Sequence, residues 1–130
     1  MATIEDVERI IAELPRVVED ERHARRTWSV GGKGFAWVRP FSKADIRRYG
    51  ATTPPDGPIL AVRVADLAEK EAVLATSSDA IFTIPHFDGY AAVLIQLNKS
   101  KRAELQDAIV DAWFACAPPD LADNYRKQRS

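Results

Sequence analysis

The sequence predicts a two-layer α+β domain, an antiparallel sheet with helices on one face, in the order α-β-β-β-α-β-β-α. Three observations point there. Two pairs of short β-prone segments meet at glycine-containing turns, which makes the members of each pair antiparallel neighbours. Three segments carry apolar residues at helical spacing behind side chains that cap helix starts. The run from Ala91 to Leu97 presents a continuously apolar face that helices can cover.

The elements follow in chain order. Thr3 and Asp6 have capping-box spacing, Ile4, Val7, Ile11 and Leu14 recur at helical spacing, and Pro15 stops the helix. Arg26 to Val30 and Phe35 to Arg39 are rich in aromatic and β-branched residues and read as two strands joined by Gly31, Gly32, Lys33 and Gly34. Ser42 and Asp45 repeat the capping-box spacing ahead of Ile46 and Tyr49, so a short helical turn precedes Gly50. "ATTPPDGP" (51–58) is a loop by its prolines and glycine.

Ile59 to Val64 is a third strand. Asp66 caps a second helix with Glu69 at the box position and with Leu67 and Leu74 on its inner face. Ile81 to Phe87 and Ala91 to Leu97 form a hairpin around Asp88–Gly89. Ser100 caps the last helix, whose stripe is Leu105, Ile109, Ala112, Trp113 and Cys116, and Pro118 and Pro119 end it. In the last strand Ala91, Val93, Ile95 and Leu97 point one way. Ala92, Leu94, Gln96 and Asn98 point the other way and predict a half-exposed face free for a ligand, partner or dimer. Leu14, Val93, Ile95, Ile109 and Trp113 are expected to share one core.

Length and composition bound the possibilities. At 130 residues the chain suits a single domain with one core. Apolar residues make up 46% and charged residues 28%, the balance of a globular protein. No apolar run approaches the roughly 20 residues of a membrane span. "MATIEDVERI" lacks a signal-peptide layout, and Cys116 is the only cysteine, so a cytoplasmic location is expected.

Charge is segregated along the chain. Residues 1–21 carry a net charge of −5 and residues 22–49 a net charge of +7, although the whole chain is at −1. The basic block is Arg22, Arg25, Arg26, Lys33, Arg39, Lys43, Arg47 and Arg48 against Asp45 alone. It can serve as an electrostatic footprint for phosphate, or as a solvated surface balancing the acidic N-terminal helix. With a pI near 6.1, any affinity for DNA must come from this local patch.

The stretch "VGGKGF" has no phosphate-loop pattern. Phe35 follows Gly34, no Ser or Thr follows Lys33, and a strand rather than a helix comes next. Its glycines instead supply the positive φ angles of a tight hairpin, with Lys33 at the tip. Catalytic candidates are few. His86, Asp88 and Tyr90 could do acid–base work, but no activated Ser or Cys accompanies them, and strand end, turn and packing roles explain them equally. His23 reads as a surface residue and Cys116 as inert core. The two histidines and one cysteine meet no zinc spacing, so no metal and no cofactor are expected. Trp28, Trp37 and Trp113 read as core anchors, although one on the open sheet face could instead stack on a base.

"IFTIPHFDGYAAVLIQL" (81–97) followed by "LQDAIVDAWFACAPPDLA" (105–122) resembles the MmcQ/YjbR family. "ELPRVVED" (13–20), "VGGKGFAWV" (30–38) and "ILAVRVADLAEKEAVLA" (59–75) extend the resemblance over nearly the whole chain. The resemblance implies an antiparallel sheet with helices and two hairpins, at 26–39 and 81–97, that act as DNA-binding wings. Under it, the first wing contacts phosphates of double-stranded DNA. Arg25, Arg26, Lys33 and Arg39 lie on or beside the hairpin, with Lys33 and Arg39 exposed, and Lys43, Arg47 and Arg48 lie on the following turn. His86, Asp88 and Tyr90 form a second-wing site. The alternatives are a protein-interaction or homodimerising module and, last, a small-molecule or enzymatic domain centred on His86. No enzymatic activity is expected.

Overall fold

A computed structural model describes residues 2–129. Its helices are α1 (Ile4–Ala12), α2 (Lys43–Tyr49), α3 (Leu67–Thr76), α4 (Arg102–Cys116) and α5 (Pro119–Arg129). Its strands are β1 (Val18–Arg22), β2 (Arg25–Val30), β3 (Lys33–Val38), β4 (Ile59–Arg63), β5 (Ile81–Phe82) and β6 (Ala92–Gln96). They form one sheet in the order β1-β2-β3-β4-β6-β5, antiparallel at every pairing, as the α+β fold class requires. Five strands are expected from the sequence; β1 is the sixth. Its residues, VEDER, have no alternating apolar face, and the strand exists because it pairs with β2 along an exposed edge.

Two of the three expected capping boxes form, while at α3 Asp66 accepts from the Glu69 amide without the return bond. Thr3 accepts from the Asp6 amide and Asp6 from the Thr3 amide, and Ser42 and Asp45 do the same at α2. Val30 pairs with Lys33 across Gly31 and Gly32, whose φ angles of 59° and 81° make the mirror-type two-residue turn that suits a twisted hairpin. Lys33 therefore opens β3 rather than sitting in the turn. A bulge follows, where Trp28 faces Ala36 but Ser29 faces Gly34. It turns both Phe35 and Ala36 into the core and leaves Gly34 and Trp37 toward the opposite face.

The β1–β2 turn has the same geometry without glycine. His23 and Ala24 sit at φ 53° and 61°, a region where a Cβ crowds the backbone at a cost of roughly 1–2 kcal/mol per residue. Ala24→Gly is therefore expected to stabilise the fold by roughly 1 kcal/mol, read as a raised melting temperature. An unchanged or lowered melting temperature would show that the strain is relieved elsewhere.

The core lies between the sheet and α1, α4 and α5. Leu14, Val93, Ile95, Ile109 and Trp113 all belong to it, as expected from the sequence. Trp113 is fully buried, its Nε1–H donates to the Pro15 carbonyl at 3.1 Å, and its ring packs edge-on against Tyr125 of α5. Pro118 and Pro119 do end α4, but Pro119 also begins α5, because the first turn of a helix needs no proline N–H. Cys116 is buried where the hairpin tip meets this junction, since a side chain at Gly31 would touch the Pro118 ring at 3.0 Å. Burial pushes its thiol above the usual range, against the opposing charges of Arg63 and Lys33.

Three local expectations change. Ser100 does not cap α4; Lys101 holds the N-cap position without a side-chain bond, and the Ser100 hydroxyl donates to the Lys101 carbonyl at 3.1 Å. Leu67 is exposed rather than inward-facing. The buried side chain of α3 is Lys70, whose ammonium donates to the Phe87 carbonyl at 2.6 Å and the Tyr90 carbonyl at 2.9 Å. The second hairpin is not tight. β5 stops at Phe82, and Pro85, which has no N–H for a strand ladder, opens a 3-10 turn over Pro85–Phe87.

The sheet face opposite α1 and α4 is closed at one end. Ile59, Ala61, Ala92 and Leu94 pack there with Ile84 and Phe87, and Phe41 and Tyr49 from α2 and the segment before it add to this second cluster. The half-exposed face expected from Ala92, Leu94 and Gln96 is buried along β6 and stays open only toward β2 and β3. Among the described residues no helix is long and apolar enough to cross a membrane.

Candidate nucleic-acid interface

The open part of this face is a basin of about 260 Å³ lined by Arg22, His23, Arg25, Thr27, Gly34, Trp37, Arg63 and Tyr90. Strand register places these residues. Trp37 of β3 lies between Thr27 of β2 and Ala61 of β4, both small, so the indole has a low floor on either side. Gly34 keeps that floor empty, because a Cβ there would come within 3.1 Å of the Thr27 methyl.

The walls are basic and aromatic. Arg63 continues the outward phase of Ile59 and Ala61 on β4. Its Nε–H donates to the Gly34 carbonyl at 2.8 Å and its guanidinium lies 5.3 Å from the Tyr90 ring centre. Tyr90 approaches Trp37 with ring centres 6.3 Å apart. Arg22 donates to the Gly32 carbonyl and the Ser29 hydroxyl, both at 3.3 Å, while its Nε is ion-paired with Asp20, also at 3.3 Å. Burial, and then the neighbouring positive charge of Arg39, lower the proton affinity of the Arg25 guanidinium, with Asp45 working against them. The group stays charged, and the crowding of like charge favours an anion beside it.

Among the described residues no carboxylate lines the basin. Guanidinium groups bind phosphate oxygens in a fork, and a half-exposed indole offers a face to a base. A larger groove of about 900 Å³ between α3 and α4 has mixed charge, with Glu69, Glu104, Asp107 and Asp111 beside Arg63, Lys99, Lys101 and Arg126, and its carboxylates make it a poorer phosphate site than the basin. Burial, Asp107 and Glu69 push the Asp111 carboxyl above the usual range, against Arg129.

A family model described as YjbR matches residues 12–128 of the chain. This chain belongs to the YjbR family. It is 41% identical over 128 residues to uncharacterized proteins of Mycobacterium tuberculosis (strain H37Rv) and Mycobacterium bovis, with 96% of this chain and 96% of each relative covered. Its fold is similar to the crystal structure of Deinococcus radiodurans protein DR2400, which carries a DUF419 domain. That likeness has a TM-score of 0.64 at 18% identity and covers 98% of this chain and 88% of the other.

The basic residues singled out from the sequence of this YjbR chain do not form one surface. Arg25 lines the basin. Arg26 points to the helix side, where it bonds Glu8 at 2.7 Å and Glu19 at 3.0 Å and lies over Trp28, so acids of the N-terminal segment neutralise it. Arg39, expected to be exposed, is buried with Asp45, their side chains each 2% exposed and 3.0 Å apart. It continues the phase of Trp37 into the closed end of the face and also donates to the Pro40 carbonyl. Arg48 lies 3.8 Å from the same carboxylate. Lys33, Lys43 and Arg47 are exposed.

Of the second-wing residues, Tyr90 reaches the basin. His86 and Asp88 are exposed and do not line it; His86 packs its ring near Phe87, and Asp88 lies near the Lys70 ammonium. Arg63, Trp37, Arg22 and His23 complete the site; Arg22 belongs to the basic block and Trp37 to the tryptophans that could stack on a base, whereas nothing in the sequence marks Arg63 or His23 for it. The available signal was strand phase, since Arg63 lies on the same side of β4 as Ala61, and Trp37 shares a face with Thr27.

Proposed function

We propose that this YjbR chain binds DNA through backbone phosphates, using the first hairpin and the basin beside it, as a binding protein without enzymatic activity. The observation that carries this reading is the carboxylate-free basin where Arg22, His23, Arg25 and Arg63 converge around two aromatic rings. Lys33, exposed on the same hairpin, adds charge at its tip. Phosphate contacts of this kind position a protein and carry little sequence information, so binding is weak, non-specific and steeply salt-dependent.

A partner-binding or self-associating module is the less supported class. The exposed apolar side chains Val18, Ile46 and Leu67 are dispersed over β1, α2 and α3, and the β1 edge carries charges that discourage strand pairing.

The test is titration of a short duplex by fluorescence anisotropy at several salt concentrations. Each lost phosphate contact lowers the slope of log K against log salt by roughly 0.9. Arg22→Ala with Arg25→Ala is expected to flatten the slope by roughly 2. Undetectable binding of both the duplex and a single strand of the same length at low salt, or a double variant with the wild-type slope, would remove the DNA reading in favour of the partner-binding module.

A further inference from the structure

We infer that the basin receives an unstacked nucleobase on Trp37, so that the preferred ligand is single-stranded rather than duplex nucleic acid. This inference rests on the phosphate-binding reading and adds the base to it. In a duplex the bases are stacked on one another and present only their edges, and guanidinium groups alone would suffice to hold its backbone. The basin holds more than guanidinium groups. It has an aromatic wall above an emptied floor, and sites that take single strands combine such a platform with basic side chains.

The geometry selects Trp37 as the platform. The Trp37 and Tyr90 rings are 6.3 Å apart and tilted by 47°, which leaves no slot for a third ring between them. Tyr90 is exposed, but Arg63 lies over its ring at 5.3 Å and Phe87 packs edge-on at 5.6 Å, so part of the ring is already covered. Trp37 is half-buried and flanked by Thr27 and Gly34, which are too small to cover it. A base lying on the indole has Arg25 on the β2 side and Arg63 on the β4 side, in position to hold its phosphate. At about 260 Å³ the basin lies just below the roughly 300–1,000 Å³ of sites that enclose drug-sized ligands, a scale that suits one nucleotide.

The other two tryptophans, Trp28 and Trp113, are buried at 2% and 0% exposure, so a ligand in the basin makes direct contact with Trp37 alone among the three. The experiment titrates the full chain at low salt with three labelled probes of equal length: oligothymidine of about twelve nucleotides, a fully abasic strand, and a duplex. Anisotropy and tryptophan emission are read together. Oligothymidine is expected to bind roughly ten-fold more tightly than the abasic strand, to bind more tightly than the duplex, and to quench Trp37. Trp37→Phe should retain the preference for bases, and Trp37→Leu should lose it while keeping the salt slope. If Trp37→Leu fails to fold, the comparison of oligothymidine with the abasic strand on the wild-type chain remains decisive. Equal binding of those two probes without quenching, or a duplex bound as tightly as oligothymidine, overturns base stacking and leaves phosphate binding standing. No binding of any probe overturns both.

Discussion

Asparagine in place of Asp45 is expected to destabilise the fold by about 3–5 kcal/mol, the usual cost of breaking a buried ion pair from one side. The carboxylate lies 3.0 Å from the Arg39 guanidinium, and both side chains are buried. Without it, Arg39 keeps a carbonyl acceptor at Pro40 and the ring of Phe87 at 5.7 Å, but no counter-charge within hydrogen-bond reach. The same carboxylate accepts from the Ser42 amide, so the start of α2 weakens too. Urea unfolding measures the loss. Combined with Arg39→Met, the Asp45→Asn change should cost less than the sum of the two single changes, because the charge left unpaired by either one is gone. Additive costs would show that the pair is not coupled.

Acid supplies a second reading of this site. Burial pushes the Asp45 carboxyl up, but the Ser42 amide and hydroxyl and the Arg39 charge outweigh it and hold the group below its ordinary value of 3.8. A depressed carboxylate contributes stability that is fully present above the unfolded value and disappears as pH falls through the lower folded value. The difference between wild type and Asp45→Asn should therefore shrink below pH 3.8. Asp6, held low chiefly by the Thr3 amide and also by Arg102, loses its contribution in the same direction.

Trp113→Ala is expected to cost about 3–5 kcal/mol, enough to unfold a marginally stable domain. The indole is completely buried and contacts Phe114 and Tyr125, and its N–H satisfies the carbonyl of Pro15, 98 residues away in sequence. Truncation leaves both a cavity and an unpaired carbonyl where α1, α4 and α5 meet. Trp113→Phe keeps a ring and gives up the hydrogen bond, so its cost should be distinctly smaller. Thermal and urea melts of the two variants side by side test the order, and equal losses would mean that the hydrogen bond dominates.

Features written in local chemistry are legible in the amino-acid sequence itself. The capping pairs Thr3–Asp6 and Ser42–Asp45 lie three residues apart, and the Gly31–Gly32 turn needs only its own φ angles. The shared burial of Ile109 and Trp113 with Val93 and Ile95 follows from one helical stripe facing one strand face. What escapes such reasoning is decided between distant segments. β1 has a charged sequence and takes its conformation from β2. Arg39, expected at the surface, and Lys70, which no pattern singles out, become interior because a carboxylate and two loop carbonyls meet them there. The basin joins the β1–β2 turn to Arg63 and Tyr90, so its members are recognisable only once the register across β2, β3 and β4 is known.

Cys116 turns the packing of the hairpin tip on α4 into a clock. The thiol is single, enclosed and disfavoured as a thiolate, so a disulfide reagent in the bulk reacts only with molecules in which this seam has parted. Its rate of modification counts those openings without a dye or an engineered site. Comparing that rate with global unfolding separates a hairpin that lifts off α4 on its own from one that leaves only when the whole chain does.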